Sequence, residues 1–259
     1  MPVTDLTDRG RPDALVALPG TGSDADFVRR AFGPAATDLG IELIAAQPAD
    51  GDLVEGYRAQ LDEAARQHAH LLVGGVSLGA AISLDWALRD ARAAGCCVGV
   101  WAALPAWSGN PCPPAGNPVP AALAALATAD AVAREGLEPV ITAMAASSPG
   151  WLAAELTRSW RALHPGLITQ LRSAAHYVAP TTAQIAALPV PLALIAAADD
   201  PLHPVEVARE WAQAAPVAGL VEVGLDDWGA EPSLLGHTCA RSWRRLSAGG
   251  AATNGRVSG

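Results

Sequence analysis

Apolar residues along this chain of 259 residues fall into two rhythms. Short runs at 14–18, 41–46, 71–76, 96–104, 191–197 and 219–223 are almost continuously hydrophobic, mostly with Gly, Pro or Asp close by, as in strands buried on both faces. Between them lie longer segments, 24–38, 54–69, 77–94, 205–214 and 233–246, with helical periodicity. In the second of these, Tyr57, Leu61, Ala64, Ala65 and His68 share one helix face, and charged residues occupy the other. The alternation predicts an α/β fold: a mostly parallel sheet of about six strands with helices on both faces.

The stretch 105–190 breaks the rhythm, because a single crossover helix needs far fewer residues. It opens with a proline-rich run, 111–120, and continues with helical patterns at 121–134, 137–146, 151–163 and 166–177. The expected organisation is a core from 1–107 and 186–247, with an inserted helical cap at 108–185. Residues 248–259 are rich in Gly, Ala and Ser without periodicity, which predicts a flexible tail.

Composition narrows the partners. With 17 basic and 26 acidic residues the formal net charge is -9, a sign that repels nucleic acid and anionic membranes and leaves small molecules as the expected partners. The apolar stretches 96–107 and 186–198 are shorter than the roughly 20 residues of a membrane span. No signal-peptide pattern opens the chain, so a cytoplasmic location is expected. Cys96, Cys97, Cys112 and Cys239 show neither metal-ligand spacing nor a disulfide ladder, and Cys96 and Cys97 read as strand residues. His68 and His70 have no acidic or thiol partner pattern nearby, so no metal and no cofactor is expected. The oligomeric state is not encoded in any pattern found.

The chemistry centres on Gly75-Val76-Ser77-Leu78-Gly79, which follows an apolar run and opens an amphipathic segment. A serine on a sharp strand-to-helix turn needs very small residues two positions before and after it, and Gly75 and Gly79 meet that need. A serine hydroxyl also needs a base, and the base a third group to hold it. Of the six histidines, His68 and His70 precede the serine on the same unit, His164 and His176 lie in the expected cap, and His203 sits inside a turn with two prolines. That leaves His237, after the last strand and near the start of the last helix. For the acid, Asp199 and Asp200 stand at the carboxyl end of a strand, where ligand sites gather in open parallel sheets. Asp200, the last acid before the turn, is favoured over Asp199. Residues 105–110 contain no acid, which closes the position after the fourth run. Negative charge developing on oxygen would be met by the backbone N–H of Leu78 and by Thr21 in the glycine-rich loop Leu18-Pro19-Gly20-Thr21-Gly22-Ser23.

These residues resemble the α/β-hydrolase superfamily, over nearly the whole chain from Ala14 to about Leu246. The order Ser, Asp, His is that of the superfamily. The resemblance assigns Ser77 to the nucleophile elbow, Asp200 to the strand-end acid turn, His237 to the base in the loop after the last strand, and Thr21 and Leu78 to the oxyanion donors. It also identifies the insertion with a helical lid. Two departures stand out: Pro19 replaces a common histidine, and only a short stretch precedes the first strand, so the usual first antiparallel hairpin is expected to be missing.

The resulting expectation is an esterase-like serine hydrolase that cleaves an ester or related acyl bond of a small to medium apolar substrate through an acyl-enzyme. Gly20, Gly22, Trp107, Met144, Trp151 and Trp160 are candidate substrate-binding residues, together with Tyr177 in the roof, although side chains such as Met144, Trp151, Trp160 and Tyr177 more often pack a lid core than line a pocket. Alternatives on the same triad are a thioesterase or a carbon–carbon bond hydrolase, for which Arg134, Arg158, Arg161 or Arg172 could supply charge. A non-catalytic ligand receptor is the alternative from another class.

Overall fold

Each apolar run becomes a strand in the computed structural model, which describes residues 10–48, 51–89, 93–113 and 118–252. β1 (Ala14–Leu18), β2 (Glu42–Ala45), β3 (Leu71–Val76), β4 (Cys97–Ala103), β5 (Leu192–Ala197) and β6 (Ala218–Val223) form one sheet in the order β2-β1-β3-β4-β5-β6. All five pairings are parallel, and no hairpin precedes β1 among the described residues.

Strand side chains alternate between the two faces, and the two main hydrophobic clusters follow that period. Ala14, Val16 and Leu18 of β1 enter one cluster, while Leu15 and Ala17 enter the other. β5 divides the same way, with Leu192, Leu194 and Ala196 opposite Ala193, Ile195 and Ala197. The runs lack polar alternation because helices cover both faces.

On one face lies α1 (Ala25–Leu39), whose Phe27, Val28, Ala31, Phe32 and Ala35 are buried at helical spacing. Asp24 caps its start, accepting from the N–H groups of Asp26 and Phe27, and Gly40 ends it in the left-handed conformation with φ 65°. The other face carries α2 (Leu53–Gln67), capped by Asp52, and α3 (Leu78–Arg89). A short turn, α4 (Ala93–Cys96), leads into β4. Cys96 therefore closes a helical turn, contrary to the strand expected from sequence, while Cys97 opens the strand.

Between β4 and β5 the chain forms α5 (Pro120–Glu135), α6 (Leu137–Ser147), α7 (Gly150–Leu163), α8 (Leu167–Ala175) and the short α9 (Thr182–Ile185). A third cluster, built on residues such as Ala129, Val132, Ile141, Trp160 and Leu171, lies within this insertion. Beyond β5 come α10 (Val205–Ala214), α11 (Leu225–Ala230) and α12 (Ser233–Ala252). α12 packs beside α1 so closely that a Cβ on Gly236 would lie 2.5 Å from the carbonyl oxygen of Ala31. The expected tail at 248–259 is still helical through Ala252, and 253–259 lie outside the described residues.

Candidate active site

Ser77 occupies the single position between the end of β3 and the start of α3. Its φ of 53° is a left-handed conformation that costs a non-glycine residue about 1–2 kcal/mol. The surroundings enforce it. The Ser77 N–H continues the sheet by donating to Ala103 O at 2.8 Å, and its carbonyl accepts the first bond of α3 from Ala81 N at 3.1 Å. The neighbouring glycines leave no room for side chains: a Cβ would lie 2.2 Å from Leu18 O at Gly75 and 2.3 Å from the same oxygen at Gly79.

The turn after β5 supplies the other two groups. Asp200 Oδ1 accepts from the N–H of Leu202 at 2.8 Å and of His203 at 3.3 Å, an Asx-type turn framed by Pro201 and Pro204. Its Oδ2 lies 2.7 Å from His203 Nδ1, and His203 Nε2 lies 3.0 Å from Ser77 Oγ. An ionised carboxylate can only accept, so the ring proton resides on Nδ1 and Nε2 is left to accept the serine proton. Burial pushes the Asp200 carboxyl up, but the hydrogen bond and charge of His203 and the two N–H groups outweigh it and hold the group below its ordinary value. The chain Ser77–His203–Asp200 is thus continuous, with Ser77 and the Asp200 side chain both largely buried.

The sequence reading brought His237 to this point, and the structure does not. α11 occupies the loop directly after β6, and His237 falls inside α12, past its first turn. Its Nδ1 lies 3.4 Å from Asp38 Oδ2. Asp38 is in the last turn of α1, which runs back from the carboxyl edge of the sheet toward the amino edge, away from Ser77. A cleft of about 410 Å³ at that amino edge, lined by Arg11, Asp38, Trp243 and Arg244, contains no member of the Ser77 chain. The two prolines around His203 disfavour it in sequence as a base; the signal that points to it is an aspartate and a histidine three residues apart on one strand-end turn. Asp199, the alternative acid, instead accepts from the N–H of Leu225 at 2.7 Å.

The loop after β1 approaches from the side of α3. A Cβ on Gly20 would lie 3.5 Å from Ser77 Cβ, and Gly22 takes a positive φ of 73° in a turn closed by Ser23 N–H to Gly20 O at 3.1 Å. The N–H groups of Thr21 and Leu78 have no acceptor among the described residues, and that of Leu78 is one of the donors a helix leaves free at its start.

The remaining candidates divide. Trp160 is buried in the insertion's cluster, but its Nε1 abuts Gly22 and has no hydrogen-bond partner among the described residues. Met144 packs half-buried against the same cluster. Trp107 is core, its indole N–H donating to Tyr177 O at 3.1 Å, and Tyr177 is buried in the same cluster. Trp151 stacks edge-on against Trp228, 4.7 Å between centroids, with its N–H 3.4 Å from Asp226 Oδ1. Among the described residues no group of three or more metal-ligating side chains occurs, and no helix is long and apolar enough to cross a membrane.

No sequence-family profile and no curated protein sequence matches the chain. Solved structures do. An esterase from Thermogutta terrifontis superposes with a TM-score of 0.68 at 15% identity, covering 92% of both chains. Esterase EaEST from Exiguobacterium antarcticum gives 0.65 at 13%, covering 87% of this chain and 91% of its own. The N-formylmaleamic acid deformylase of Pseudomonas putida S16 gives 0.59 at 20%, covering 83% and 85%. At these identities the likeness speaks for architecture, and with the parallel sheet and the inserted helices it establishes that this chain has the α/β-hydrolase fold.

Proposed function

We propose that the protein is a serine hydrolase that cleaves an ester or related acyl bond, with Ser77 as nucleophile, His203 as base and Asp200 as the acid that orients it. The observation that carries this reading is the hydrogen-bond chain from Ser77 Oγ through both nitrogens of His203 to Asp200, at 3.0 and 2.7 Å. A serine held at φ 53° supports it, since strain of this kind persists where the surroundings over-determine a conformation.

The steps follow from the groups. As Ser77 Oγ bonds to the acyl carbon, its proton passes to His203 Nε2, and the carbonyl pair moves onto oxygen, facing the N–H groups of Leu78 and Thr21. Collapse of this intermediate expels the leaving group, which takes the proton from Nε2 and leaves Ser77 acylated. A water then repeats the sequence, giving its proton to His203 and freeing the acid and Ser77. Asp200, held ionised, stabilises the imidazolium at both stages.

The same geometry argues against a cationic substrate pocket of the kind a carbon–carbon bond hydrolase would use. Arg134 pairs with Glu135, Arg158 with Asp24 and Glu155, Arg161 with Glu138, and Arg172 with Asp130. Net charge and the apolar residues of the insertion favour a small to medium apolar acyl compound in solution.

The test is labelling by a fluorophosphonate probe. Wild type should label, Ser77→Ala should not, and His203→Ala should label at least a hundredfold more slowly, while His237→Ala stays within about threefold of wild type. Loss of labelling in His237→Ala with retention in His203→Ala would overturn the assignment of the base. A wild-type protein that never labels would leave a ligand-binding role.

A further inference from the structure

The oxyanion loop is gripped from outside by three consecutive residues of the inserted helix α7. Ser159, fully buried, donates from Oγ to Gly22 O at 2.7 Å; its other neighbour, Leu156 O, is at 3.4 Å, and one hydroxyl proton serves only the shorter contact. Arg158 forms two parallel bonds to the buried Asp24, both at 2.8 Å, and is itself steadied by Glu155 at 2.6 Å. Trp160 closes over Gly22, where any Cβ would lie 2.8 Å from its Nε1. Asp24 has no slack, because its Oδ1 also accepts the Asp26 and Phe27 N–H groups that start α1.

The covalent structure of the loop turns this grip into an alignment device. A trans peptide holds its C=O and the following N–H in one plane and pointing in opposite directions. Gly22 C=O and Ser23 N–H belong to one such plane, and Gly20 C=O and Thr21 N–H to another. Ser159 Oγ fixes the first plane through Gly22 O, and Ser23 N–H then fixes the second through Gly20 O at 3.1 Å. The far end of that second plane is the N–H of Thr21, which has no acceptor among the described residues. Each bond in such a chain also polarises the next, by about 10–30%.

We propose that Ser159 is a positioning residue for the oxyanion donor Thr21, acting through two peptide groups, so that the hole is complete only while the inserted helix is seated, with Arg158 and Asp24 clamping the loop alongside. This inference rests on the serine-hydrolase reading and adds a specific coupling to it. Removing an oxyanion donor outright costs 10²–10³ in kcat, and loosening the support of one that remains costs a fraction of that, roughly tenfold.

The experiment compares wild type, Ser159→Ala and Ser159→Thr on p-nitrophenyl butyrate, with the inhibition constant of an alkyl trifluoromethyl ketone, whose serine adduct carries an oxyanion. Wild-type turnover and labelling come first, and their absence would count against the hydrolase reading itself. Given turnover, Ser159→Ala should lose roughly tenfold in kcat with KM within twofold, weaken the ketone by a similar factor, and regain kcat when threonine restores the hydroxyl. If the alanine chain does not fold, Ser159→Cys, of similar size but a weaker donor, should show several-fold lower kcat and the same split. A kcat within twofold of wild type in a folded variant, or a loss confined to KM with ketone affinity unchanged, would overturn the inference and leave the hydrolase reading standing.

Discussion

Gly79→Ala tests whether the serine turn is held by steric crowding, as the structure implies. Alanine normally stabilises a helix start relative to glycine, by about 0.4–1 kcal/mol, because it restricts the unfolded chain. At Gly79 the new Cβ would lie 2.3 Å from Leu18 O, 2.7 Å from Leu18 C and 2.8 Å from Pro19 O, all of them backbone. No side-chain rotation relieves such contacts, so the start of α3 and the end of β1 must part by about 1 Å to restore ordinary contact. Overpacking of this kind costs about 1–3 kcal/mol, leaving a net loss of about 1–2 kcal/mol after the helix gain. In a domain of this size that is a drop in Tm of about 2–8 °C. The same displacement separates Leu78 from the loop that follows Pro19, and an error near 1 Å in a reactive geometry is worth up to about 10²-fold in rate. Gly150→Ala, at the first residue of α7 with nothing within 4 Å, is the control and should raise Tm slightly. Thermal unfolding and fluorophosphonate labelling rates read both effects. A Gly79→Ala protein with wild-type Tm and labelling within twofold would refute the argument that the close approach of β1 and α3 sets the turn.

Three further outcomes follow. Asp200→Ala should lower kcat/KM by on the order of 10³-fold in an ester assay, whereas Asp199→Ala, which loses only the bond to Leu225 N–H, should stay within about fivefold; equal losses would place the acid wrongly. For Asp24, burial pushes the carboxyl up, but Arg158 and the helix-start N–H groups together hold it below its ordinary value. A lowered folded pKa stabilises above the unfolded value of about 4 and is lost as pH falls through the folded one, so the Tm deficit of Asp24→Asn should be full at pH 7 and shrink as the pH falls below about 4; a gap independent of pH would contradict this. Of the four thiols, Cys96, Cys97 and Cys239 are buried, Cys239 with its pKa pushed up by burial, while Cys112 is half-buried, so a disulfide reagent should titrate one fast thiol in the native protein and lose it in Cys112→Ser.

The sheet was legible because a strand buried on both faces leaves an apolar run that no exposed segment imitates, as at Leu71–Val76 and Leu192–Ala197. Ser77 was legible because the glycine requirement at the turn is local, and Asp200 because it stands at a strand end. The proposed base was not, for two physical reasons. The contact between Asp200 and His203 is made by one side chain folding a turn around itself, and sequence does not show over which edge of the sheet that turn hangs. The segment between β6 and the helix expected at 233–246 coils into α11 within two residues of the strand, and His237, in that helix as expected, is turned toward Asp38 of α1 and not toward Ser77. The grip of Ser159 on Gly22 was invisible because it joins segments 137 residues apart.

Strand order explains why the turn after β5 can serve a base at all. β3 and β5 are separated by β4 alone, so the two strand ends stand two sheet spacings apart, roughly 10 Å. A histidine on the β5 turn spans that gap with its own ring, one nitrogen on the carboxylate of the same turn and the other on Ser77. A base carried on β6 would start one spacing farther away and would need a long loop to return across β5. By placing Asp200 and His203 three residues apart, this chain fixes their mutual geometry locally, and little side-chain freedom is left to be lost when the long-range contact to Ser77 forms. In the proposed mechanism the loop after β6 has no part: its Leu225 N–H is bonded to Asp199, and its Trp228 packs against Trp151 of the insertion. The end of β6 thus anchors the first turn of α7, while three residues near that helix's other end hold the loop after β1.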